Sequence, residues 1–125
     1  MHKSRLGDIV IDCHTDNLQQ AASFWSAALG YPLPDEIDVE SGFILLQTPP
    51  GEVQVIIQQV RREAGVHLDI ETDSIEAEIR RLEKLGAKVV TRHEGWTVMQ
   101  APTGQLFCVG KPFRGGFEQE ANAWE

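Results

Sequence analysis

The sequence predicts an α+β domain built from two βαβββ units in tandem. Two repeats and one shared order of elements carry that reading. The stretch Val10-Ile11-Asp12-Cys13-His14-Thr15-Asp16-Asn17-Leu18 returns 57 positions later as His67-Leu68-Asp69-Ile70-Glu71-Thr72-Asp73-Ser74-Ile75. Both copies alternate, carry Asp at the third place and run through Thr-Asp into an amphipathic stretch. A second repeat, 53 positions apart, sets Gly42-Phe43 and Gln47, Pro49 and Gly51 over Gly95-Trp96 and Gln100, Pro102 and Gly104. Period-two and period-3.6 patterns then follow one another in the same order in both halves, and self-similarity of this kind marks a duplicated unit.

The first strand falls at 6–13, with Ile9, Ile11 and Cys13 on one face and Val10 and Asp12 on the other. Asp16 is the expected N-cap, with Gln19 completing a capping box. The helix after it sets Leu18, Ala21, Ala22, Trp25, Ala28 and Leu29 on one stripe. Gly30 stops it, and Pro32 and Pro34 prevent continuation. Ile37 and Val39, alternating with acids, predict a short half-exposed second strand. Asp35, Glu36, Asp38 and Glu40 read as a solvated edge that blocks aggregation. Strands at 43–47 and 53–59 are separated by the turn Pro49-Pro50-Gly51.

A polar link at 61–65 separates the halves. The fifth strand, 66–72, leads into a second helix capped by Asp73 with Glu76. Ile75, Ile79, Leu82 and Leu85 form its buried stripe, Glu76 and Arg80 an outer i,i+4 pair, and Gly86 its end. Strands at 88–92, 96–100 and 106–109 follow. The domain is expected at 1–110, with unit one at about 7–60, unit two at about 66–110, and a tail at 111–125. That tail frays or lays its aromatics on a neighbouring surface.

Composition narrows the function classes. The 125 residues suit one domain, and 42% apolar with 24% charged residues is ordinary for a folded protein. A net charge of −8 argues against nucleic acid and anionic membrane surfaces, so neither is an expected partner. No apolar run reaches the roughly 20 residues of a membrane span, and no signal-peptide core follows the charged start. Cys13 and Cys108 imply no disulfide framework, and the expected location is the cytoplasm. There is no Gly-rich phosphate loop, Ser elbow or Cys-x-x-Cys pair.

Over about residues 7–110 the chain resembles the vicinal oxygen chelate superfamily of glyoxalases, bleomycin-resistance proteins and extradiol dioxygenases. It looks most like the small glyoxalase-like members. The resemblance rests on Ala22-Ser23-Phe24-Trp25 through Ala28-Leu29-Gly30, on His67-Leu68-Asp69-Ile70, and on Ala101-Pro102-Thr103-Gly104-Gln105 before Phe107-Cys108-Val109. It implies that each unit curls its strands into half a cup, giving two cupped mixed sheets around a site. Metal-using members place His or Gln, Glu, His and Glu on the first, fourth, fifth and eighth strands. Those places fall on Val10, Val55 (or, in a looser alignment, Gln58), His67 and Cys108. Valines donate nothing, and His67 with Cys108 makes two ligands, so no metal and no cofactor are expected. Asp12 and Asp69 stand two residues along, near 6.5–7 Å on an extended strand, beyond the metal places.

The expected ligand pocket is Asp12, His67, Asp69, Trp96 and Cys108, with His67 the candidate catalytic residue. Strand parity sets Asp12 and Asp69 beside the places of Val10 and His67. They form either a polar floor for a cationic or hydrogen-bonding ligand, or structural carboxylates bonded to backbone or arginines. Trp96 supplies a flat apolar wall. Cys108 is a small buried hydrophobe or a thiol activated by His67. The leading expectation is a metal-free binder of an unknown small molecule, of drug-binding or resistance type. The alternative is a lyase or isomerase using His67 with Asp69 or Asp12 as general acid and base. A third reading is a protein–protein module. A homodimer is expected, with Phe113, Phe117 and Trp124 offering surface.

Overall fold

The computed structural model describes residues 1–125. The elements run β1 (His2–His14), α1 (Leu18–Leu29), a 3-10 turn (Val39–Ser41), β2 (Phe43–Leu45), β3 (Gln54–Val60), β4 (Gly65–Thr72) and α2 (Ile75–Lys84). Then come β5 (Lys88–His93), β6 (Trp96–Gln100), β7 (Leu106–Gly110), α3 (Phe117–Glu120) and β8 (Asn122–Trp124). The chain is an α+β protein with mixed strand pairing. It forms two compact units, one of residues 8–66 and one of residues 1–7 with 67–125. The opening residues and the C-terminal segment therefore belong with the second half of the repeat.

In the unit of residues 8–66 the strand order is β2-β3-β1. β1 runs parallel to β3 from Asp8↔Gln54 to His14↔Val60, and β2 is antiparallel to β3. Helix α1 covers one face. Leu18 and Ala22 bury against Ile44, Leu46, Val55 and Ile57, with Ile11, Cys13 and Trp25 packed around them. Side chains such as Ile57, fully buried, contribute about 1.5–3 kcal/mol each. The stripe is shorter than expected, since Ala28 and Leu29 are exposed. The N-cap is Asn17, whose side chain accepts from Gln20 N–H, one residue beyond the expected Asp16. Gly30 ends the helix at φ 78°, a left-handed conformation that glycine adopts freely. The strand expected around 37–39 is absent. Asp38 Oδ1 instead accepts from Glu40 N–H at 3.1 Å and caps the 3-10 turn, a local bond that competes with sheet pairing.

In the other unit the order is β1-β4-β7-β6-β5, with β8 also paired to β1. β4 and β7 are parallel, with Asp69 opposite Cys108, while β5, β6 and β7 form an antiparallel meander. Ile79 and Leu82 of α2 bury against Met99 and Val109. The cap is Ser74, accepting from Ala77 N–H, again one residue past the expected Asp73. Leu85 is the C-cap and is 65% exposed, so it leaves the expected stripe. Glu76 pairs with Arg92 at 2.7 Å, across to β5, where the expected partner was Arg80.

Glu78, on the inner side of α2, is fully buried and held by His2 Nε2 at 2.7 Å and by Arg81 at 2.7 and 2.8 Å. Burial alone would raise its pKa. The bonds from Arg81, His2 and Ser4 outweigh that and hold the carboxyl below the usual range.

The segment after β7 is tied down along its length. Arg5 is buried, donates to Glu120 at 3.0 Å and to the carbonyls of Arg114 and Gly115, and lies 5.4 Å from the Phe117 ring centroid. Trp124 Nε1 donates to Ser4 Oγ at 2.8 Å and carries Arg81 3.9 Å above its ring. Phe117 and Trp124 are thus engaged within the unit, and of the three tail aromatics Phe113 keeps a large exposure, at 59%. No helix is long and apolar enough to cross a membrane.

Candidate functional site

One face of the sheet in the second unit gathers the polar side chains. Along β4, residues 67, 69 and 71 share a face, because successive side chains of a strand alternate. Ile70, on the opposite face, packs under α2. In register, Asp69 stands beside Cys108 on β7, and Cys108 stands beside Val98 on β6. Trp96, two residues before Val98, is therefore on that face too, 46% exposed and stacked on His93 at 4.4 Å and 14°. His93, silent in the sequence, is the stacking partner of that indole.

Asp69 Oδ1 lies 3.5 Å from His67 Nε2, and both side chains are part-exposed. One donor atom each from His67, Asp69 and Cys108 lies within 4.8 Å of the others. Here the expectation drawn from strand spacing needs correction. The Cα separation of residues two apart places Asp69 beyond reach, yet its side chain leans back to meet the imidazole. Backbone rise does not measure where flexible side-chain tips converge.

Glu71, which sequence reasoning missed, is the anchored end of this row. It is 2% exposed and accepts from Arg5 Nε at 2.6 Å and from Phe113 N–H at 3.2 Å, with Arg114 Nε at 3.9 Å. The alternation that selects His67 and Asp69 selects Glu71 as well, so the signal was present. A Cβ on Gly7 would sit 3.1 Å from Glu71 Oε2, which explains a glycine at that point of β1.

Asp12 lies in the unit of residues 8–66. It is 2% exposed and takes Arg62 Nη2 at 3.0 Å. That is the arginine partnering a buried carboxylate requires. Cys13, behind it, packs against the α1 core. Burial pushes its thiol pKa up and Asp12 adds to this, against a bond from Trp25.

A family model described as a glyoxalase-like domain matches residues 8–110. The chain belongs to that family. Solved structures of the same fold include a hypothetical protein from Bacillus halodurans C-125, 16% identical, covering 90% of this chain and 97% of that one at TM-score 0.65. Methylmalonyl-CoA epimerase from Mycobacterium tuberculosis is 20% identical over 86% of this chain and 87% of its own, at TM-score 0.61. A glyoxalase/bleomycin resistance protein/dioxygenase superfamily member from Vibrio splendidus 12B01 is 17% identical over 86% and 98%, at TM-score 0.56. At these identities the likeness carries the fold and leaves the reaction open. Among curated proteins none matches.

For this glyoxalase-like domain the superfamily's metal set does not fit. Val10 offers no donor. Val55, given the fourth-strand place, packs with Leu18 and Ala22 under α1, so its side chain belongs to a core. Ile56, opposite Val10, is apolar as well, and Gln58 stands opposite Asp12. The run Val55-Ile56-Ile57 is apolar throughout, which hid the strand's parity from the sequence.

Proposed function

We propose that this glyoxalase-like domain binds a small molecule on the face formed by His67, Asp69, Cys108 and Trp96. The observation that supports the reading is the convergence of three polar tips within 4.8 Å on a sheet face that also carries a half-exposed tryptophan. A ligand suited to it has a flat apolar part for the indole and a cationic or hydrogen-bonding end for carboxylate and imidazole. That description includes the drug-binding or resistance type of member. The reading uses side chains of this chain alone and needs none of the superfamily's metal set.

A thermal-shift screen of aromatic amines and amides tests it. A compound at 100 times its dissociation constant adds about 2.7 kcal/mol to stability. That raises the midpoint of a domain this size by several degrees. Hits that lose their shift in both Asp69→Asn and Trp96→Ala support the reading. No hits, or hits indifferent to both changes, count against it.

The contact between His67 and Asp69 favours a second reading, a lyase or isomerase in which the pair acts as general acid and base. The carboxylate would orient the imidazole. Asp12, the other carboxylate considered for this role, takes Arg62 Nη2 at 3.0 Å. Exchange of substrate α-protons with deuterated solvent, lost in His67→Gln, is the measurement that separates catalysis from binding.

A further inference from the structure

We propose that Cys108 is a nucleophile, with His67 as its base, that adds to conjugated carbonyl compounds bound on this face. The inference rests on the ligand-binding reading and deepens it, since it names an electrophilic class of ligand.

Three side chains on adjacent strands carry it. β4 and β7 are paired in register with Asp69 opposite Cys108, and His67 lies two residues before Asp69 on the same face. One polar atom from each lies within 4.8 Å of the others, and all three side chains are part-exposed. Thiols and their bases are often this loosely spaced before a substrate arrives, and they tighten around it. Asp69 Oδ1, 3.5 Å from His67 Nε2, orients the ring. Nucleophile, base and a carboxylate behind the base form the arrangement that activates a thiol.

The surroundings of the sulfur select the ligand. Val98 stands opposite Cys108 on β6, and Leu106, which shares the face of Cys108, is 51% exposed. Gly110 stands opposite Trp96, so β7 sets no side chain against the indole at that point. The sulfur therefore lies along an apolar strip that ends at a flat ring. An aromatic ring conjugated to an enone suits it, with the ring on the indole and the soft β-carbon over the sulfur.

The step balances within the pair. The S–H bond breaks and its proton goes to a ring nitrogen of His67. The sulfur forms a C–S bond at the β-carbon while the C=C π pair moves to the carbonyl oxygen. The imidazolium then returns the proton to the α-carbon, leaving a thioether on Cys108 and an intact ketone. Nothing is oxidised or reduced, and no further reactant is consumed. Cys13 is the internal comparison, because it packs against the α1 core.

Benzylideneacetone is the probe, added to the reduced full chain and followed by intact-mass and peptide-mapping mass spectrometry. The expected result is one adduct per chain, on Cys108, formed at a rate that saturates in the probe. Cys108→Ser should form no adduct, and Cys13→Ala should react as the wild type does. His67→Gln should lower the saturating rate at least tenfold, and Asp69→Asn should lower it too. Read at saturation, that rate is independent of affinity. Circular dichroism confirms that each variant is folded. No adduct on Cys108 overturns the proposal. So does a rate that never saturates, or one that His67→Gln leaves unchanged. Benzylacetone, the saturated ketone, cannot form the adduct, so its thermal shift reads the ligand-binding proposal separately.

Discussion

Arg5 Nε donates to Glu71 Oε1 at 2.6 Å, joining two side chains that are 8% and 2% exposed. The same guanidinium reaches Glu120 and two carbonyls of the C-terminal segment. One buried charge pair therefore fixes the end of the row that carries His67 and Asp69 and also holds the last residues of the chain in place. Removing one partner of a buried pair leaves an uncompensated charge, which costs about 3–5 kcal/mol. Arg5→Ala and Glu71→Ala should each lower stability by that amount in urea denaturation. A double change to Met and Leu should recover a large part of the loss.

The C-terminal segment should count as part of the folded unit. Phe117 is 8% exposed, and Phe117→Ala should cost about 3 kcal/mol, the low end of aromatic deletions. A chain ending at Pro112 should lose more, because Arg5 then loses Glu120 and both carbonyls. Proteolysis rates of full-length and shortened chains check this. Equal resistance would show the segment to be dispensable.

Acid should destabilise the chain through Glu78. Its folded carboxyl lies below the usual range, which is about 4.3. The unfolded chain therefore binds this proton at higher pH than the folded one does. The stabilisation is present above the unfolded value and is lost as pH falls through the folded value. His2 and Arg81 face the carboxylate. Denaturation midpoints measured from pH 6 to pH 3 should fall in the wild type, and less steeply in Glu78→Gln. Parallel curves would remove Glu78 as the cause.

A homodimer remains our proposal, on a narrower footing than the three tail aromatics offered. Phe117 and Trp124 are occupied within the unit, and Phe113 is exposed. Sedimentation at micromolar concentration should give a particle twice the 13.9 kDa chain mass. A monomer at that concentration would end the idea.

Much of the fold was legible because the repeat exposes itself. Gly42 and Gly95 both take positive φ before an aromatic, and both helices start within a residue of the expected caps. What escaped was either purely apolar or purely long-range. Val55, Ile56 and Ile57 are all buried, so no alternation told which face each took. The strand around Ile37 lost to a local Asp38 bond that propensity does not weigh. Arg5 finds its partners 66 to 115 positions away, and no local pattern marks such a residue. At the site, alternation named His67 and Asp69 but could not show their tips meeting, because that depends on rotamers.

The central claim is that the face of His67, Asp69, Trp96 and Cys108 is where this glyoxalase-like domain meets its ligand. Its most direct test is an amide chemical-shift map of the isotope-labelled chain, titrated with the aromatic amine giving the largest thermal shift. The account predicts saturable changes centred on residues 67–69, 96–98 and 108, with α1 and the C-terminal segment unmoved. Saturable changes centred elsewhere, or none on this face, would contradict it.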